Sequence, residues 1–218
     1  YSLADANSYV STPSGVMSEY KAMWTYDTAD EIIWKINFTT TDRGGSLGSL
    51  FIGITGGMYH PSYLPAKWLI DSYDSYDFRQ ITFFSIVNTM QGFETEVVVK
   101  YPGNPNIDGS AGTFYTNMPK LFRLSEMYLI RAEAYAMLGE TNKANSDLST
   151  LRKARIQGYG TSTYSQEKLM EAIQLERAKE LFLEGFRLAD LKRWNKGFKR
   201  QPQAGTITGE NYSSLTVD

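Results

Sequence analysis

Leu121–Arg155 reads LFRLSEMYLIRAEAYAMLGETNKANSDLSTLRKAR, and Leu169–Trp194 reads LMEAIQLERAKELFLEGFRLADLKRW. Apolar residues recur three and four apart through both stretches, which is the period of an amphipathic helix. They divide into four segments, arranged as two helix-turn-helix pairs. The first helix is expected from about Leu121, with Leu124, Tyr128, Ala132 and Tyr135 continuing its apolar stripe, and Gly139 suits the left-handed position past its end. The second carries Ala144, Leu148 and Leu151 on one stripe, and the short turn before it folds it back antiparallel. Gln157–Ser165 (QGYGTSTYS) interrupts the pattern, with Ser165 as an N-cap for the third helix. That helix presents Leu169, Ile173 and Leu181, Gly185 ends or kinks it, and a fourth segment runs to Trp194. The small residues Ala132, Ala134 and Ala136 allow close helix approach, as in tetratricopeptide-type pairs.

The preceding residues read differently. Residues 1–30 form a short helix-and-loop region. In Glu31–Thr40 (EIIWKINFTT), Ile32, Trp34, Ile36 and Phe38 alternate with Ile33, Lys35 and Asn37, which predicts a strand with one apolar face. A glycine-rich loop follows through Asp42–Leu50 and Phe51–Pro65. Ala66–Tyr76 fits a short helix. Ile81–Val87 and Thr95–Tyr101 read as two strands, joined as a hairpin across Asn88–Glu94, and Pro102–Gly112 is turn-rich. The expected fold class is mainly α: tetratricopeptide-like antiparallel helix pairs plus a loop-rich region with a few short β-strands. The organisation is 1–118 (loop-rich), 119–196 (helical pairs) and 197–218 (extended tail), together one domain.

The 218 residues suffice to bury a core without cross-links, and the absence of cysteine excludes disulfides and thiol chemistry. A net charge of −2 gives no field to draw the chain to nucleic acid. The charge is uneven: residues 1–118 hold 6 Lys+Arg against 12 Asp+Glu, while 119–218 hold 16 against 12. In the second half the basic residues interleave with acids at helical spacing, as on a salt-bridged helix surface. No apolar run is long enough to span a bilayer. The 15 Tyr and 4 Trp supply rings with an apolar face and a polar tip, suited both to cores and to binding surfaces.

Three marks carry a family resemblance. The first is the acidic strand start Asp30-Glu31-Ile32-Ile33-Trp34, and the second is Tyr73, Asp77 and Arg79 in a Tyr-x-x-x-Asp-x-Arg element. The third is the helical wording Arg123-Leu-Ser-Glu-Met-Tyr-Leu-Ile-Arg-Ala-Glu-Ala, followed by Ile173, Glu176-Arg177, Glu180-Leu181, Glu184-Gly185, Arg187, Asp190-Leu191 and Arg193-Trp194. In these the chain resembles the SusD/RagB family of outer-membrane nutrient-binding lipoproteins. Ala178, where the family tends to repeat Arg, and Phe186, where it often has His, depart from the pattern. Family members are considerably longer and begin with a lipidated cysteine and earlier helical repeats. The resemblance is to the later part, so the lipid anchor is expected outside this chain.

The resemblance implies binding without catalysis or cofactor: capture of an extracellular oligosaccharide, or in some members a peptide, for a SusC-like TonB-dependent transporter at the cell outer membrane. Ligand contacts are implied on loops and aromatic side chains, and the helical repeats are implied to face the transporter. A protein–protein scaffold and a helical glycoside hydrolase fragment are the other readings.

The residues offer their own candidates. Tyr59, His60 and Tyr63 follow the glycine-rich loop, and Trp68 stands close behind. Rigid rings stack on the C–H faces of pyranoses at small entropic cost, so these four are the candidate ligand-binding residues. His60 is the only histidine, and no nucleophile motif accompanies it. Asn104, Asn106 and Asp108 mimic the start of a calcium loop, but Tyr115 occupies the twelfth position, where a bidentate Glu belongs. Glu176 and Glu180 would be the carboxylate pair of a hydrolase, yet interleaved arginines are expected to keep both ionised. Asp71, Asp74 and Asp77 read as a solvated helix face. Gly44-Gly45-Ser46-Leu47-Gly48 lacks the Lys-Ser/Thr ending of a phosphate loop.

Overall fold

The structure is a computed structural model that describes residues 1–55, 58–59, 61–88, 94–108, 115–199 and 216–217. A hairpin of β1 (Tyr9–Thr12) and β2 (Gly15–Ser18) leads into α1 (Glu19–Tyr26), where the Ser18 side chain accepts from the Lys21 amide as an N-cap. After α1 come β3 (Ile32–Lys35), a 3-10 turn (Leu47–Leu50), and the two-residue strands β4 (Ile54–Thr55) and β5 (Met58–Tyr59). Next are α2 (Lys67–Ile70), α3 (Phe78–Phe83), the antiparallel pair β6 (Phe84–Asn88) and β7 (Glu94–Val98), and α4 (Pro105–Asp108). Then follow β8 (Lys120–Arg123) and four helices: α5 (Leu124–Met137), α6 (Thr141–Lys153), α7 (Gln166–Glu180) and α8 (Arg187–Arg193). β9 (Phe198–Lys199) pairs antiparallel with β10 (Thr216–Val217). Among the described residues every sheet has two strands, so the fold is mainly α, as expected.

Local details differ from the sequence reading for physical reasons. Residues 81–83 are helical, because the buried Asp77 caps α3 by accepting from the Arg79 amide; the strand begins only at Phe84. The helix expected over 66–76 shrinks to α2 and a turn. The first long helix starts at Leu124, not Leu121, because residues 120–123 pair with β3. Its buried stripe is Ser125, Leu129, Ala132 and Ala136, flanked by Glu126 and Glu133; Leu124, Tyr128 and Tyr135 lie at its margin. β3 does not bury the expected face. Trp34 is 55% exposed and Ile36 44%, and the Trp34 ring stacks on Phe122 of β8 with centroids 5.8 Å apart. The two shifts of register in this pair, on either side of Trp34, break the simple alternation. Gly139, at φ 76°, ends the first long helix as expected.

Two apolar clusters form. One gathers Tyr20, Met23, Trp24, Phe83, Phe84, Val98 and Tyr101. The other gathers Leu129, Ala132, Leu148, Leu151, Leu169 and Ile173 from α5, α6 and α7. Ala178 and Phe182, from the helical part, pack in the first cluster, and Leu3 packs against the second, so the chain interlocks across its sequence halves.

Enclosed ion pairs complete the interlock. Glu180 accepts from Arg79 (3.1 Å), Arg123 (2.9 Å) and Arg155 (3.0 and 3.1 Å). Glu176 accepts from Arg79 and Arg152, each at 2.6 Å. Glu184 takes Arg123 through two hydrogen bonds and Lys100 at 2.7 Å, and Glu31 takes Arg123 and Arg155. Asp77 holds Arg79 in a two-toothed grip. The carboxylates Glu31, Asp77, Glu176, Glu180 and Glu184 are thus held by Arg79, Lys100, Arg123, Arg152 and Arg155, with Lys179 also 3.6 Å from Asp77, and all of these side chains are enclosed. A separate knot surrounds Asp27, which accepts from Lys120 Nζ (2.6 Å), Asn104 Nδ2 (2.9 Å) and the Met118 amide (3.1 Å).

Candidate functional site

The glycine-rich segment builds a platform of rings. Gly48 lies so close to Tyr101 that a Cβ would sit 2.0 Å from the Tyr101 carbonyl oxygen, and its amide donates to the Tyr115 carbonyl at 3.1 Å. Only glycine permits this approach. It seats the 3-10 turn so that Phe51 stacks on Tyr101 (6.4 Å between centroids), and Tyr101 meets Trp24 edge-on at 5.8 Å. Tyr63 caps this ladder from outside, its ring 6.3 Å from Phe51 and 57% exposed. Tyr59, half-buried, packs against the same cluster. Burial, reinforced by Tyr59 beside it, pushes the Tyr115 hydroxyl pKa up. A surface ring is therefore held by a stack that runs to the core, which is the pre-organisation that ring-on-ligand stacking needs. His60 lies outside the described residues. Trp68 stands apart, on the wall of a groove formed with the segment after α7.

The charged candidates belong to the scaffold. Burial alone would push the Glu176 carboxyl up, but Arg79, Arg152 and Lys179 outweigh it and hold its pKa at about 2. Burial likewise opposes ionisation of Glu180, and Arg155, Arg123 and Arg79 hold it well below the usual carboxylate range. Two enclosed, ionised carboxylates give neither the neutral acid nor the open base that glycoside hydrolysis requires. Asp77 is not on a solvated face: it is fully enclosed with Arg79, while Asp74 pairs with Lys179 and Asp71 with Lys67. Asn104 spends its amide on the Tyr26 carbonyl and Asp27, Asn106 donates its backbone amide to Asn104 Oδ1, and Asp108 Oδ2 accepts from the Thr116 amide. Among the described residues no group of three or more His, Cys, Asp or Glu is placed to hold a metal ion.

Three features went unforeseen. Arg155, which joins Glu31 to Glu180, and Lys100, which closes the ion-pair cluster at Glu184, stand in no recognisable motif. Lys100 Nζ lies 4.1 Å from the Trp24 ring centroid and 4.3 Å from that of Phe83. Burial pushes its pKa down to about 8 against the pull of Glu184. The third is the exposed Trp34–Phe122 stack, whose only sequence signal was a strand face assumed to point inward.

The fold is matched among solved structures. A SusD superfamily protein from Bacteroides thetaiotaomicron aligns with a TM-score of 0.68 at 22% identity, over 92% of this chain and 43% of its own. A SusD-like carbohydrate binding protein from Bacteroides vulgatus aligns with a TM-score of 0.62 at 25% identity, over 96% of this chain and 44% of its own. Surface glycan-binding protein A from Bacteroides uniformis gives 0.59 at 21% identity, over 81% and 40%. This chain therefore spans less than half the length of these proteins. No curated protein matches it. The family model described as SusD family matches residues 89–215. That stretch is more than half of the sequence and takes in β7, β8 and all four long-block helices, so the chain belongs to the SusD family.

Proposed function

We propose that this protein captures an extracellular oligosaccharide without cleaving it, and delivers it to a SusC-like TonB-dependent transporter at the outer membrane. The observation that carries the reading is Tyr63, a ring more than half open to solvent yet seated on the Phe51–Tyr101–Trp24 ladder. Tyr59 packs against the cluster that holds Phe51 and Tyr101. Such a surface offers a pyranose an ordered apolar face, and the polar tips of the tyrosines offer hydrogen bonds to its hydroxyls. Membership of the SusD family, and the likeness to a carbohydrate binding protein at 25% identity, support a glycan as the ligand. For the partner face we assign α5, where Ile130 and Met137, seven residues apart and thus on one side, are 48% and 74% exposed.

Calorimetric titration against a panel of oligosaccharides and peptides tests the reading. Saturable binding of a glycan that is recovered chemically intact is expected. The double substitution Tyr59→Ala, Tyr63→Ala should weaken it at least tenfold, about 1.4 kcal/mol, while the far-UV spectrum stays unchanged. Wild-type affinity in the double variant removes this platform from the site, and shortened glycans in the recovered ligand refute capture without cleavage.

A further inference from the structure

The turn between α7 and α8 is shaped by left-handed backbone at Leu183 (φ 57°) and Gly185 (φ 88°). With α2 it leaves a groove of about 390 Å³, a volume that falls within the roughly 300–1,000 Å³ of small-ligand sites. α2 contributes Trp68, the turn contributes Leu181 and Phe186, and α8 contributes Leu188, so the walls are overwhelmingly hydrocarbon. Against this lining the polar groups stand out. Arg177 gives its Nε and Nη2 to Asp190 at 2.9 and 3.0 Å, but its Nη1, buried on the groove wall, has no hydrogen-bond partner among the described residues. Arg187 lies with its Cζ 5.9 Å from the Trp68 ring centroid, and burial pushes its pKa down. Asp190 is already shared between Arg177 and Arg193. Two arginines therefore line the groove with one engaged carboxylate, and Glu126 adds a second negative charge near Arg177. A buried donor left unpaired is costly, and a charged one more so, which makes Nη1 a place for an incoming anion.

We propose that this groove binds a small amphipathic carboxylate, its alkyl body between Trp68 and Leu188 and its carboxylate on Arg177 Nη1 and Arg187. The site is separate from the Tyr63 platform and stands whether or not a glycan binds there.

Octanoate and 1-octanol, titrated calorimetrically into the full chain, test it. Octanoate should saturate one site and bind about tenfold more tightly than octanol, since only the anion satisfies the guanidinium donors. Arg187→Gln should shrink that preference, since one of the two guanidinium partners is lost, and leave octanol binding as it was. Ala66→Trp, at the groove's rim, should block both ligands while the amide spectrum remains that of the folded protein. The proposal is overturned by the absence of saturable octanoate binding, by equal affinity for the two probes, or by a preference that Arg187→Gln leaves undiminished. Sedimentation showing a dimer that Leu188→Glu dissociates, with no octanoate bound, would assign the groove to a second copy of the chain and overturn it too.

Discussion

Glu180 illustrates how much one side chain organises. Its two oxygens neutralise parts of three arginines that come from α3, β8 and the end of α6, none of them near it in sequence. A buried pair contributes modestly to net stability, because desolvation offsets attraction, but removing one partner strands the other. Glu180→Gln should therefore destabilise the fold by about 3–5 kcal/mol in urea denaturation; a loss under about 1 kcal/mol would show that the arginines find other partners or water. Acid should act through the same residues. The Glu176 carboxyl titrates near 2 in the folded chain against an ordinary value of 4.5, so its contribution, about 3 kcal/mol, is present above pH 4.5 and lost as the pH falls towards 2. Glu180 moves in the same direction. The urea midpoint should fall steeply below pH 4.5, and a midpoint that is flat down to pH 3 would contradict this. At this scale the sequence was legible only in outcome: both glutamates were expected to be ionised by interleaved arginines, but the interleaved Arg177 pairs with Asp190, and the cations that lower Glu176 and Glu180 come mostly from other elements. The identity of the partners was not, because Arg79, Lys100 and Arg155 are brought in by folding across distances of 25 to about 100 residues.

At the scale of elements, the helices were the most readable part, since their period, the glycine after α5 and the position of Ser165 are local signals. The buried face of α5 was misjudged for a physical reason. Counting apolar side chains passes over Ser125, Glu126 and Glu133, which are buried, and favours Tyr128 and Tyr135, which lie at the margin with cations near their rings. Leu129, fully buried, is the residue that bears the α5 contact. Leu129→Ala should cost about 2–5 kcal/mol, whereas Ile130→Ala next to it, on the open face, should cost less than about 1. Equal losses in thermal melts would mean that α5 is rotated from the orientation described. The short elements escaped the sequence because tertiary contacts define them. Asp77 turns an apparent strand into α3, and Gly48 serves a close approach that no composition reveals. Gly48→Ala, a change that at an unhindered site stabilises by about 0.4–1 kcal/mol, should here destabilise by more than that, since its Cβ would meet backbone; an unchanged urea midpoint would show that the turn shifts to admit it.

At the scale of the molecule, seven of the charged residues that mark the family lie in the ion-pair cluster: Glu31, Asp77, Arg79, Arg123, Glu176, Glu180 and Glu184. The wording by which this fold is recognised records the scaffold, which explains why the family was readable while the ligand platform, built on the less distinctive Tyr63 and Tyr59, was legible only as a cluster of rings. Because cores and ion pairs bind the loop-rich part to the helices, unfolding should be a single event: exchange protection of the Met23 and Leu129 amides should report the same opening free energy. A gap of more than about 2 kcal/mol between them would separate the halves.

The ion-pair cluster joins the two parts of the chain evenly, residues 1–118 giving it Glu31 and Asp77 along with Arg79 and Lys100, and the uneven charge lies outside it. Residues 1–118 carry a surplus of acid and 119–218 a surplus of base, and each sends ions into the other's interior. Severed between Met118 and Pro119, either piece would be left with naked interior charges and unable to fold unaided. Mixed together, the opposite surpluses should draw the pieces into one reconstituted body, which would make this polypeptide a split protein whose reassembly weakens with added salt.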